Sequence, residues 1–236
     1  MLLIDIQDLK KLNQLLWNIL KKNLSTTAIE WLQQKIALIV TEDKSVQLQL
    51  CFAHLPRIAS KKSITVLGEE IQQLNEMLPG FVINDWTTDK LSRVWLLMQL
   101  PPDNKETYIK KINGLFAAAE MNEQIALYAA LPLYFYPEEW ISRCEEGIRS
   151  NIGTVLEAIM YDNPYPAKFL SEPSWNQLVL KAFFTEKDVN KIYGLYERAN
   201  AALTETLQDY IQERLAAHRT VAPEIYQLTQ QTETTK

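Results

Sequence analysis

Apolar side chains return at every third or fourth position along nearly the whole chain, and no stretch sustains the two-residue alternation of a half-buried strand. Leu9, Leu12, Leu16, Ile19 and Leu20 form one stripe. Trp31, Leu32, Ile36 and Ile39 form another, behind Thr27 and Glu30 at capping-box spacing. Ser45 is placed to cap a third helix through Leu48, Cys51 and Phe52. Further helices are predicted over about 69–78, from Thr87 or Thr88 to Leu100, over 103–119, and from Asn122 as cap to Leu131. The remainder cover 138–149 behind Pro137, 152–161, 173–184, 188–196 and 201–218. Leu-Pro pairs at 55–56, 100–101 and 131–132 read as helix stops, because proline lacks the donor that continues a helix. Their unequal spacing defines no fixed repeat. The expected fold class is all-α: about 10–12 helices in stacked antiparallel hairpins, loosely like an α-solenoid. One helical domain is expected over 1–229, with 1–80 as its N-terminal part and 230–236 as a fraying polar tail.

Composition narrows the function. A chain of 236 residues buries roughly 70–75% of its unfolded surface, so it can fold without disulfides or a structural metal. Only six glycines occur, which argues against glycine-lined phosphate loops. The 24 Lys and Arg nearly balance 29 Asp and Glu, and the lysine pairs at 10–11, 21–22, 61–62 and 110–111 are dispersed. They read as solvated faces, and no concentrated basic stripe marks nucleic acid as a partner. Cys51 and Cys144 stand far apart in apolar surroundings, as reduced buried thiols do. Asp5 and Asp8 occupy the place where a signal peptide carries positive charge. The most apolar window, 127–137, is interrupted by Pro132 and is too short to span a bilayer. The expectation is a cytoplasmic protein with no transmembrane segment.

Reaction chemistry is harder to find. His54 and His218 have no Cys, Asp or Glu at ligand spacing, so neither a metal nor another cofactor is expected. No HExxH, CxxC, GxSxG or phosphate-loop pattern occurs. Asp209 and Glu213 share a helix face beside Tyr210 and Arg214. A solvated face explains them, unless Arg214 turns inward.

The densest polar and aromatic stretch is 146–184. Arg149 can pair with Glu145 one turn away, or bind an anion at the helix break by Ser150 and Asn151. Glu157 falls off the core face of Ile152, Val155, Leu156 and Ile159 and stacks over Gly153, whose small size leaves room for a neighbouring chain or a ligand. Asn163-Pro164-Tyr165-Pro166 is a rigid turn. Trp175, Leu178, Val179 and Ala182 face the core, with Asn176 at the margin and Lys181 opposite. The candidate ligand- or partner-binding residues are Arg149, Asn151, Glu157, Asn163, Tyr165, Trp175, Asn176 and Arg214.

These same residues carry a resemblance. Glu146-Gly147-Ile148-Arg149-Ser150-Asn151, Leu156-Glu157-Ala158-Ile159, Asn163 through Ala167, and Trp175 through Ala182 resemble the motifs of the EboA family, as do Asp209, Tyr210, Glu213 and Arg214. Trp86, Asp89, Arg93-Val94 and Leu100-Pro101 match more loosely, so the likeness covers about 86–226. Thr185-Glu186-Lys187-Asp188 departs from the family's more apolar link. The resemblance implies a bacterial gene cluster for specialised metabolites, whose other members look like a membrane prenyltransferase, a metal-dependent hydrolase and sugar-phosphate or dehydroquinate-synthase-like proteins. It implies a part in making a metabolite or moving its precursors, and it assigns no role to any motif residue. The expected function is a non-catalytic helical adaptor working with the prenyltransferase-like and hydrolase-like proteins of its cluster. The alternative is a carrier or enzyme for an isoprenoid, quinone or phosphorylated precursor, with its pocket in 146–182.

Overall fold

The computed structural model describes residues 3–41 and 46–234. The expected Ser45 cap lies outside the described residues. The fold is all-α: among the described residues there are thirteen α-helices and no strand. They are α1 (Ile6–Asn23), α2 (Thr26–Thr41), α3 (Val46–Ala59), α4 (Gly68–Met77), α5 (Thr88–Leu97), α6 (Lys105–Ala118) and α7 (Met121–Ala129). After 3-10 turns at Leu131–Leu133 and Pro137–Trp140 come α8 (Ile141–Arg149), α9 (Gly153–Met160), α10 (Tyr165–Phe169) and α11 (Glu172–Phe184). A 3-10 turn at Val189–Lys191 precedes α12 (Ala201–Ala216) and α13 (Pro223–Thr234).

Side-chain caps set many of these boundaries. Asp5, Asn104, Ser171 and Asn200 each accept from a free backbone N–H of the turn that follows, opening α1, α6, α11 and α12. Such caps contribute about 0.5–2 kcal/mol each. Two expected caps shift. Ser25, not Thr27, accepts from the Ala28 amide at α2. Glu120 and Glu123 form the capping box of α7 in place of Asn122. The helix expected over 188–196 is only the three-residue turn Val189–Lys191, because the Asp188 carboxylate takes the Asn190 amide and Gly194 turns left-handed at φ 75°. Two helices were not anticipated. The Asn163 turn continues into α10, and α13 runs to Thr234 from Pro223, a residue suited to a first helical position.

The Leu55-Pro56 stop also fails, since α3 continues to Ala59 with Pro56 inside it. Proline removes the donor that would meet the Phe52 carbonyl one turn back. That carbonyl instead accepts from Arg93 Nε of α5 at 3.1 Å. A side chain from another helix thus satisfies the acceptor that proline leaves open.

Helix α5 is the hub. It lies against α1, α3 and α7, and α7 lies against α9. A helix surrounded on all sides must be apolar or internally paired on every face. Of its ten residues only Lys90 is not fully buried. The buried Arg93 donates to Asp89 Oδ2 at 2.9 Å, and Thr88 Oγ1 donates to the Ala59 carbonyl at the end of α3 at 2.8 Å. Buried apolar side chains from Ile4 to Leu228 form one connected cluster. Cys51 and Cys144 are both buried and unbridged. One lysine expected on a solvated face is not there: Lys111 is buried, its ammonium reaching the Ile39 carbonyl at 3.5 Å.

Candidate functional site

The eight residues expected to gather do not line one cavity. Asn163, Tyr165 and Trp175 are buried. The Asn163 amide donates to the carbonyls of Tyr128 at 3.1 Å and Ala158 at 3.0 Å, while its oxygen takes the Tyr165 amide. Tyr165 donates its hydroxyl to the Pro137 carbonyl at 2.5 Å. These are internal fasteners joining α7, α9 and α10. Trp175 carries the Arg198 guanidinium 4.8 Å from its ring centre, and its indole N–H finds no hydrogen-bond partner among the described residues. Asn176 and Asn200 exchange amide hydrogen bonds at 2.8 and 3.1 Å, locking α11 to the start of α12.

Arg149 and Asn151 are exposed. The Glu145–Arg149 pair does not form, because Glu145 accepts from Ser174 Oγ at 2.6 Å. The cation at the helix break is Lys181, whose ammonium donates to the Ile148 and Ser150 carbonyls at 2.6 Å each. Lys181 therefore does not face solvent opposite the core but stabilises the C-terminus of α8. Arg214 Nε donates to the Thr220 carbonyl at 3.0 Å, holding the turn between α12 and α13. Asp209 and Glu213 are exposed.

Glu157 is the one member of the group that borders the most chemically loaded cavity. That cavity, of about 380 Å³, lies between the start of α5, α7, α9 and the turn at Val189–Lys191. Its size is within the range of small-ligand sites. Asp85, Trp86 and Lys90 line it from α5 and the residues just before it, Asn122 from α7, Thr154 from α9, and Tyr161, Asp162 and Lys191 from two segments that we call its floor. The floor is tied by main chain: the Asp162 amide donates to the Lys191 carbonyl at 2.9 Å, and the Val82 amide to the Asp162 carbonyl at 3.3 Å. An isolated bridge joins Tyr161 to Ile192 beside them. Asp162 itself is held at φ 53°, a left-handed conformation that Asp tolerates better than most residues.

Most charges at this site are already paired. Lys191 meets Asp85 at 3.1 Å, Lys187 meets Glu157 at 2.5 Å, and Arg93 occupies Asp89. A Cβ on Gly153 would stand 3.2 Å from Lys187 Nζ, so the room at that glycine is taken by Lys187, from the loop that departs from the family motif. Lys90 and Asp162 remain. Neither side chain makes a hydrogen bond or ion pair among the described residues. Lys90 Nζ rests over the Trp86 ring at 4.2 Å. Burial lowers its pKa to about 8, opposed by the charges of Asp162, Asp85 and Asp89. Burial also raises the Asp162 carboxyl above its usual range, with Lys191 pulling the other way. An ammonium and a carboxylate whose charged forms are both disfavoured, lining one open cavity, make it the candidate functional site.

The sequence offered no signal for Lys90, which reads there as one more helix-face lysine. Among the described residues no group of three or more His, Cys, Asp or Glu is arranged to hold a metal ion, and no helix is long and apolar enough to cross a membrane.

Fold and cavity together define an all-helical protein with a solvent-open pocket of metabolite size that carries several charged side chains. The chain belongs to the EboA family, described as metabolite traffic protein EboA, and the family match covers residues 12–230. It therefore takes in the N-terminal helices that the motif resemblance left out. No curated protein and no solved structure matches the chain.

Proposed function

We propose that the protein binds a small polar metabolite in the cavity between α5, α7 and α9 and serves its traffic rather than its turnover. The observation that carries this reading is the pair Lys90 and Asp162, which face the same cavity without a bonded partner while the ion pairs around them are complete. A ligand presenting an anionic or carbonyl oxygen to Lys90 and a donor to Asp162 supplies what the protein leaves unmade, and Asn122 and Thr154 add hydrogen bonds from the walls. The family description, metabolite traffic, agrees with such a role. The site differs from the pocket expected in 146–182, of which only Glu157, Thr154 and Ala158 with Tyr161 and Asp162 contribute lining.

The test is a thermal-shift and tryptophan-fluorescence screen with small carboxylates, phosphate monoesters and hydroxy-ketones. A ligand at a hundredfold excess over its Kd contributes about 2.7 kcal/mol, which for a chain of this size raises the midpoint by roughly 5–10 °C. Lys90→Met should abolish the response. Silence across all three classes would defeat the reading.

A second reading, a helical adaptor for partner proteins of the same metabolic cluster, draws support from α3. Val46 and Leu50, one turn apart, are 53% and 51% exposed. A small-molecule screen that stays silent, with partner capture lost on Leu50→Glu, would favour it.

A further inference from the structure

The cavity just described contains more than a docking surface. Every other lysine near it is fixed as a cation by a carboxylate: Lys191 by Asp85 at 3.1 Å and Lys187 by Glu157 at 2.5 Å. Among the described residues, Lys90 is the lysine of this cavity without a carboxylate partner, and its nitrogen stands over the Trp86 ring at 4.2 Å. Across the same volume is the Asp162 carboxyl, on a floor held by backbone hydrogen bonds from two other segments. An amine without a bonded acid, sharing one cavity with a carboxyl able to hold or release a proton, is the pairing that carbonyl condensation requires.

Resting on the reading that this cavity binds a metabolite, we propose that Lys90 captures a carbonyl-bearing ligand as an imine, with Asp162 relaying the protons. The lone pair of the neutral Lys90 amine forms a bond to the carbonyl carbon. The π pair moves to oxygen, which takes up a proton from the nitrogen, giving a carbinolamine. The carbon–oxygen bond then breaks, and the hydroxyl leaves as water with a proton from Asp162. The resulting iminium returns its proton to the Asp162 carboxylate. One amine and one carbonyl become one imine and one water, without oxidant or reductant.

Burial serves this chemistry by favouring the neutral amine. With a pKa of about 8 for Lys90, roughly a quarter of its amine is neutral at pH 7.5, against roughly 0.1% for an ordinary lysine. The charged groups facing it are Asp85 and Asp89 on its own segment, Glu157 of α9, Asp162 after α9, and Lys191. Helix α7 presents only the uncharged Asn122 and Ile125 there.

The experiment treats the full chain with glyoxylate, and separately with dihydroxyacetone phosphate. Each reaction is reduced with cyanoborohydride and followed by intact mass and peptide mapping. The expected result is a predominant single adduct on Lys90, at least about tenfold over any other lysine at pH 7.5. Its yield should rise with pH and level off above about 8, whereas exposed lysines keep gaining. Asp162→Asn should slow the adduct about tenfold. Adducts spread over exposed lysines with no excess at Lys90 would overturn the imine. A Lys90-dependent thermal shift without adduct also overturns it, while leaving metabolite binding intact. Neither shift nor adduct removes both. Mapping the native chain locates the adduct even if a variant fails to fold.

Discussion

Lys90 shows how far a residue's environment can outrun its identity. It follows an aspartate on a helix, and nothing in the sequence separates it from the solvated lysines at 61–62. The structure sets it over Trp86 in a cavity where burial lowers its pKa to about 8. The folded value lies below the unfolded one, about 10.4. Between the two the unfolded chain binds more protons, so stability rises with pH across that window. Below it the folded protein carries a poorly solvated ammonium, only partly offset by the ring contact, about 0.5–2 kcal/mol. Lys90→Met should therefore raise the calorimetric midpoint at pH 7 by about 2–4 °C, with the gain fading by pH 10. A lowered midpoint at pH 7 would mean that the ammonium stabilises the fold. Asn163 is the opposite case. Its place before two prolines marked a rigid turn, and the buried amide bonded to Tyr128 and Ala158 explains why that turn is asparagine.

At the scale of elements, periodicity located most helices and local chemistry placed their ends. Trp175, Leu178, Val179 and Ala182 are all buried, as their spacing requires. One failure came where a tertiary contact overrode a local rule. Pro56 does not end α3, because Arg93 reaches across from α5 to the carbonyl that proline frees. No reading of residues 46–59 alone could find that donor. Arg93→Met should cost about 3–5 kcal/mol in denaturant unfolding, since it strands the buried Asp89 as well as the Phe52 carbonyl. Adding Pro56→Ala to that variant gives the carbonyl a helical N–H again and should recover about 1 kcal/mol. In a double-mutant cycle the two changes should couple; strict additivity would show that Arg93 does not substitute for the missing donor. Glycine works in the same non-local way at Gly80, whose absent Cβ would lie 2.1 Å from the Tyr193 ring.

For the molecule as a whole, the all-α class was legible in the sequence because amphipathic spacing reports which face is covered. The candidate site was not, because its floor joins Val82, Asp162 and Lys191, residues far apart in the chain. Polar density in 146–184 indicated binding, yet much of it fastens helices: Asn163 inside the core, Asn176 to Asn200, Lys181 to α8. The last helix is integral to the core. Ile225 and Leu228 of α13 are each 1% exposed, so Leu228→Ala should cost about 2–5 kcal/mol by chemical denaturation. A negligible loss would place α13 outside the cooperative unit.

The floor of the cavity has a consequence for how its preference could change over time. Because three distant segments are sewn together there by amides and carbonyls, the frame does not depend on which side chains stand on it. Substitutions at Asn122 or Thr154 would then change what the cavity admits while the mould itself stays in place.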